Sequence, residues 1–170
     1  MFFTKKPAPY PLDIDLYRAG DGTLRLFPCV RMRHGPGYIL PEMAVLPPPY
    51  TPKEIGRAIL DFWDQWADVE PLESMPEKRF WTAVPKCRSY KSFRRGHQLI
   101  QVELHNAPEF TIRYMARCGD GSYGQDKGEV EIQAQFHREM PKLPQLLGQA
   151  VEKIFALADT FDPLPSKDGP

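Results

Sequence analysis

Cysteine, net charge and long apolar runs are all scarce in this 170-residue chain, and each scarcity excludes something. Three cysteines, Cys29, Cys87 and Cys118, are an odd number with no CxxC spacing. That rules out a disulfide framework and fits a reducing compartment, so the expected location is the cytoplasm. The 22 basic and 22 acidic residues cancel, so bulk charge points to neither nucleic acid nor a membrane surface. No stretch approaches the roughly 18 apolar residues of a membrane span. The opening "MFFTKKPAPYPL" breaks at its prolines before any apolar run of about seven residues, so no secretory signal is expected there.

Catalytic signatures are missing as well. There is no GxSxG elbow, no HExxH and no P-loop. Of the four histidines (His34, His97, His105, His137), His97 and His105 could share one strand face. Eight residues of strand would hold them about 26 Å apart, too far for one zinc ion. "GDGSYG" (119–124) fits GxGxxG, but a dinucleotide site needs a helix next, and the alternating "EVEIQAQF" that follows reads as a strand. The segment is therefore expected to be a hairpin loop. The chain reads as a non-enzyme with no metal and no cofactor.

What is present is a pattern stated twice. "TPKEIGRAILDFW" (51–63) and "LPQLLGQAVEKIF" (143–155) share Pro52/Pro144, Gly56/Gly148, Ala58/Ala150 and Ile59/Val151 at one constant offset. Thr51, Pro52 and Glu54 form a capping-box helix start. Ile55, Ile59, Phe62, Trp63 and Trp66 recur at helical spacing, as do Leu147, Val151, Ile154, Phe155 and Ala158. Glycine inside a helix costs about 1 kcal/mol against alanine, so its recurrence implies a close backbone approach to a sheet or another helix. "TLRLF" (23–27) and "TIRYM" (111–115) alternate like half-buried strands. "DIDLYRA", "YILPEMAVL", "HQLIQVEL" and "EVEIQAQF" complete a strand–strand–strand–helix order in each half. The expected fold is α+β, a mainly antiparallel sheet with helices packed on it, in one domain over 1–170. Residues 12–66 and 97–159 are candidate pseudo-repeats and 160–170 a disordered tail. The alternative is two unrelated helices that share Pro-start and Gly-contact chemistry.

Between the halves the charge separates. Residues 61–77 carry Asp61, Asp64, Asp68, Glu70, Glu73 and Glu77 and no base; residues 78–97 carry Lys78, Arg79, Lys86, Arg88, Lys91, Arg94 and Arg95 and no acid. Either this is a solvated linker whose halves pair, which stabilises little, or one run faces a partner. "SYKSFRRG" reads as a short helix capped by Ser89 and ended by Gly96, with Tyr90 and Phe93 facing inward. Trp63, Trp66 and Trp81 read as packing residues.

Trp81, Ser89, Tyr90, Ser92, Phe93 and Gly96, followed by strands and then Leu147, Gly148 and Val151, resemble the immunity proteins of contact-dependent growth inhibition systems (the CdiI family). The resemblance spans roughly residues 10–160 and rests on scaffold positions; the "CGDGSYGQDKG" loop departs from the family pattern. It implies an antitoxin that forms a 1:1 complex with the C-terminal toxin domain of a CdiA-type protein and blocks its active site. Such toxins are often nucleases acting on transfer RNA, with basic clefts that an acidic face would complement. Under that implication the contact residues are Asp61, Asp64, Asp68, Glu70 and Glu73, with Asp120, Tyr123 and Asp126 second. The alternative is a small nucleic-acid-binding module using the 86–97 basic segment. A small enzyme ranks third.

Overall fold

The computed structural model describes residues 13–106, 108–124 and 131–165, with the backbone alone for His105 and Asn106. The fold is α+β: one antiparallel sheet with helices packed on it. The first half holds β1 (Asp13–Ala19), β2 (Leu24–Arg31), β3 (Gly37–Ile39), β4 (Ala44–Leu46) and helix α1 (Pro52–Trp66). The second holds β5 (His97–Asn106), β6 (Glu109–Arg117), β7 (Tyr123–Gly124), β8 (Gln133–His137) and helix α3 (Leu143–Phe161). Between them lie a 3-10 helix (Phe80–Ala83) and the short helix α2 (Tyr90–Arg95), which Ser89 caps and Gly96 ends as its sequence implies.

β1 and β5 pair at the centre, β2 and β6 flank them, and the last two strands of each half share the outer edge of β2 or β6. "YILPEMAVL" is therefore two strands and not one. Pro41, which has no N–H for a ladder, falls between β3 and β4. "GDGSYG" lies in a hairpin: Tyr123 and Gly124 pair back onto Arg117 and Ala116, and Gly121 takes a φ of +91°.

Alternation along the strands gives the sheet two covered faces. Ile14, Leu16, Leu24, Leu26, Ile100, Val102, Phe110 and Ile112 point to one face, under α1 and α3. There the repeated glycines meet. A Cβ on Gly56 would overlap the Pro144 carbonyl oxygen, and one on Gly148 would overlap that of Pro52. Each helix thus rests its glycine on the first turn of the other. α1 begins on the expected capping box, Thr51 and Glu54 bonding reciprocally; α3 begins without a side-chain cap, from Lys142 in the left-handed region.

The other face carries a second, aromatic core. Tyr17, Phe27 and Leu99 of the sheet meet Phe80, Val84 and Phe93 of the inter-unit segment. Phe93 lies 4.8 Å from Tyr17 and 5.0 Å from Phe80, edge to face. The segment read as a linker is thus a strap across the sheet. Beside this core Asp15 is buried, taking a hydrogen bond from the Tyr17 hydroxyl at 3.2 Å and one from the Gln101 amide at 3.4 Å. Burial, with Asp13 adding repulsion, pushes its carboxyl up to about 7. Neighbouring Cys29 is pushed up to about 12, again chiefly by burial.

The end of α3 is tied down. Asp162 accepts from the Tyr114 hydroxyl at 2.6 Å and from Arg117 Nε at 2.8 Å, and Arg117 also donates to the Pro163 carbonyl. Asp162 and Pro163, within the segment expected as a tail, are held to β6 in this way; 166–170 lie outside the described residues.

Two predictions follow from this packing. Gly56→Ala or Gly148→Ala must push the helices apart and should each cost about 3 kcal/mol in denaturant unfolding. Gly119→Ala, with nothing within 4 Å of the added carbon, should stay within about 0.5 kcal/mol. For Asp15 the folded carboxyl keeps its proton to about pH 7, while the unfolded one loses it near 3.8. Its contribution is whole below pH 3.8 and is lost as pH rises through 7. Asp15→Asn should therefore gain stability over the wild type at pH 8.5, by at most about 4 kcal/mol, and gain none near pH 4; an equal offset at both would contradict this.

Candidate partner-binding surface

The acidic run begins on the solvent side of α1. Asp61 and Asp64 are one turn apart, and both are exposed because Ile55, Ile59, Phe62 and Trp63 take the inward stripe. Asp68 and Glu70 follow just past the helix end and are exposed too. Asp64 in the last turn of α1, with Asp68 and Glu70 just beyond it, sits at the negative end of the helix dipole, where an acid is disfavoured by about 0.3–1 kcal/mol, and no basic residue in that turn offsets it. Local helix energetics do not explain them there.

The five acids are not equivalent. Asp64 pairs with Arg138, whose guanidinium also lies 4.3 Å over the Trp63 ring. Glu73 pairs with Arg33 at 2.8 Å, because the chain after α1 returns to the end of β2, where Leu72 and Arg31 hydrogen-bond through their backbones. Asp61, Asp68 and Glu70 have no partner among the described residues.

The second group sits elsewhere. Asp120 is exposed in the β6–β7 turn and accepts from the Ser122 N–H at 2.9 Å and its hydroxyl at 2.6 Å, which holds its carboxyl below the usual range. Tyr123 is half-buried in the aromatic core, 5.8 Å from the Tyr17 ring, with its hydroxyl donating to the His97 carbonyl at 2.8 Å. Asp126 lies outside the described residues. The hairpin belongs to the strap side of the sheet and α1 to the other, so the two groups do not form one flat surface.

The basic run lies along the strap. Phe93 is buried and Tyr90 half-buried, both packed inward as expected, so neither ring is free to stack a base. Arg94 is occupied by the Ser122 and Cys118 carbonyls. His97 is buried, its Nδ1 bonded to the Phe93 carbonyl at 2.7 Å, and burial lowers its pKa. Cavities of about 190, 340 and 350 Å³ open among the described residues; Thr111 and His137 line the second, and Ser92 and Asp21 the third, with no hydrogen bond recorded within either pair. No group of metal-ligating side chains occurs among the described residues, and no described helix is long and apolar enough to cross a membrane.

The burial of Asp15 and the partners of the acids are not evident from the sequence pattern. "DIDLYRA" does carry a signal for the first, since Asp15 falls in the same alternate row as Tyr17.

No family model matches this chain, and no curated protein does. Solved structures do. A protein of unknown function from Neisseria meningitidis, NMB0488, superposes with a TM-score of 0.58 at 8% identity, over 91% of this chain and 99% of its own. A chain of the CdiA-CT/CdiI toxin and immunity complex from Yersinia pseudotuberculosis superposes with a TM-score of 0.57 at 10% identity, over 86% of this chain and 96% of its own. At such identities the likeness is one of fold.

Proposed function

We propose that this chain is an immunity protein of the contact-dependent growth inhibition kind. It binds the C-terminal toxin domain of a CdiA-type protein one to one, in the cytoplasm, and covers the toxin's active site without doing chemistry itself. The observation that carries this reading is the fold shared, almost end to end, with a chain of a toxin and immunity complex. The exposed acids support it physically. Asp61, Asp68 and Glu70 have no partner among the described residues, Asp68 and Glu70 just past the disfavoured end of α1, and a basic nuclease cleft, such as that of a tRNase, would turn their cost into attraction. Asp64 and Glu73 flank this row but are already engaged within the chain. Asp120 and Asp126 form the secondary contact in this reading, with Tyr123 holding the hairpin in place.

The test is co-expression with the toxin fragment encoded immediately upstream, scoring survival and co-purification. The expected result is survival with a stable one-to-one complex; continued killing without a complex would contradict the reading for that pair. Asp61→Lys/Asp68→Lys/Glu70→Lys should leave thermal unfolding unchanged and slow association about tenfold at low salt, with less effect as salt rises. Unaltered association would remove this face from the interface.

A further inference from the structure

We propose that the strap over residues 78–91 is a second docking surface, built to receive an acidic polypeptide segment. Its inward side is fixed by Phe80, Val84 and Phe93. The Trp81 ring, 5.4 Å from that of Tyr90, lays the 3-10 helix beside α2, which gathers the cations flanking each. Lys78, Arg79, Lys86, Arg88 and Lys91 are all exposed, and none forms an ion pair among the described residues.

Elsewhere in the chain Arg18, Arg33, Arg113, Arg117 and Arg138 each hold a carboxylate, while Arg31, Lys53, Arg57, Lys142 and Lys153 hold none among the described residues but do not follow one another in an acid-free run. The chain has as many acids as bases, yet none is supplied between 78 and 97. Next to this row a cavity of about 190 Å³ opens between Lys78, Arg79, Tyr38 and Trp81, with cations at its rim and rings in its wall. It can take an aspartate or glutamate side chain.

The strap's chemistry selects a polypeptide over a nucleic acid. Strand binding needs rings on which bases can stack, and here Phe93 is 1% exposed while Tyr90 packs on Phe80 and Trp81. Carboxylates presented singly on a protein surface match five separate cations and one small cavity. This surface is distinct from the acids on α1, and its test needs no toxin.

The test is fluorescence anisotropy on the full chain with two labelled probes, an oligoglutamate peptide and a single-stranded RNA of equal charge. The wild type should bind the peptide in a salt-sensitive way and bind the RNA no better. Lys78→Glu/Arg79→Glu/Lys91→Glu should weaken the peptide at least about tenfold, while Lys53→Glu/Lys153→Glu, on the helical face, should not. Should the triple reversal shift the unfolding midpoint, Lys78→Gln/Arg79→Gln/Lys91→Gln is measured instead, with the loss still expected. No peptide binding, binding indifferent to the strap substitutions, or tighter binding of RNA at the same salt would overturn the proposal.

Discussion

The approach of two helices through two glycines is the constraint on which the rest of the structure depends. Gly56 lies on the carbonyl of Pro144 and Gly148 on that of Pro52, so neither position has room for a single carbon. Backbones this close let the inward residues of both helices reach the sheet together, Ile55 and Ile59 from one and Leu147, Val151 and Ile154 from the other. Each glycine costs about 1 kcal/mol of helix propensity, and the shared core under the crossing offsets it. Neither half has a complete core of its own, because the apolar stripe of each helix is buried partly by the other.

With one face taken by the helix pair, the opposite face has to be covered by what remains, and the strap does this. Its aromatic residues close the second core over Tyr17, Phe27 and Leu99, which turns its charged residues outward. The acids at the end of α1 and the bases on the strap therefore come to lie on opposite sides of the sheet. Their separation keeps most of these charges from cancelling within the molecule, although Asp64 and Glu73 do find internal partners.

The helices were legible because their signals are local. A capping box, a proline in the first turn and an inward stripe every three or four residues all sit within fifteen positions. The repeated glycine was legible as a close approach, although only the fold shows that each glycine touches the other helix. Strand alternation placed β1, β2, β5 and β6. The strap was harder to read, since Phe80, Val84 and Phe93 follow no single period and lie among charges that suggest solvent. Tyr123 looked like a surface loop residue because its neighbours are Gly, Asp and Ser; its burial depends on Tyr17 and Arg94, which are distant in sequence. The ion pairs of Asp64 and Glu73 depend on Arg138 and Arg33 in the same way. Asp162 reads as the start of a tail until Arg117 and Tyr114 are brought beside it.

The central claim is that the glycine crossing makes the two halves one cooperative body. Native-state hydrogen exchange in increasing denaturant tests it most directly, through the slowest amides of α1, α3, β1 and β5. All four should open with a common free energy equal to that of global unfolding. Exchange of α3 and β5 through a smaller opening, with α1 and β1 still protected, would contradict it.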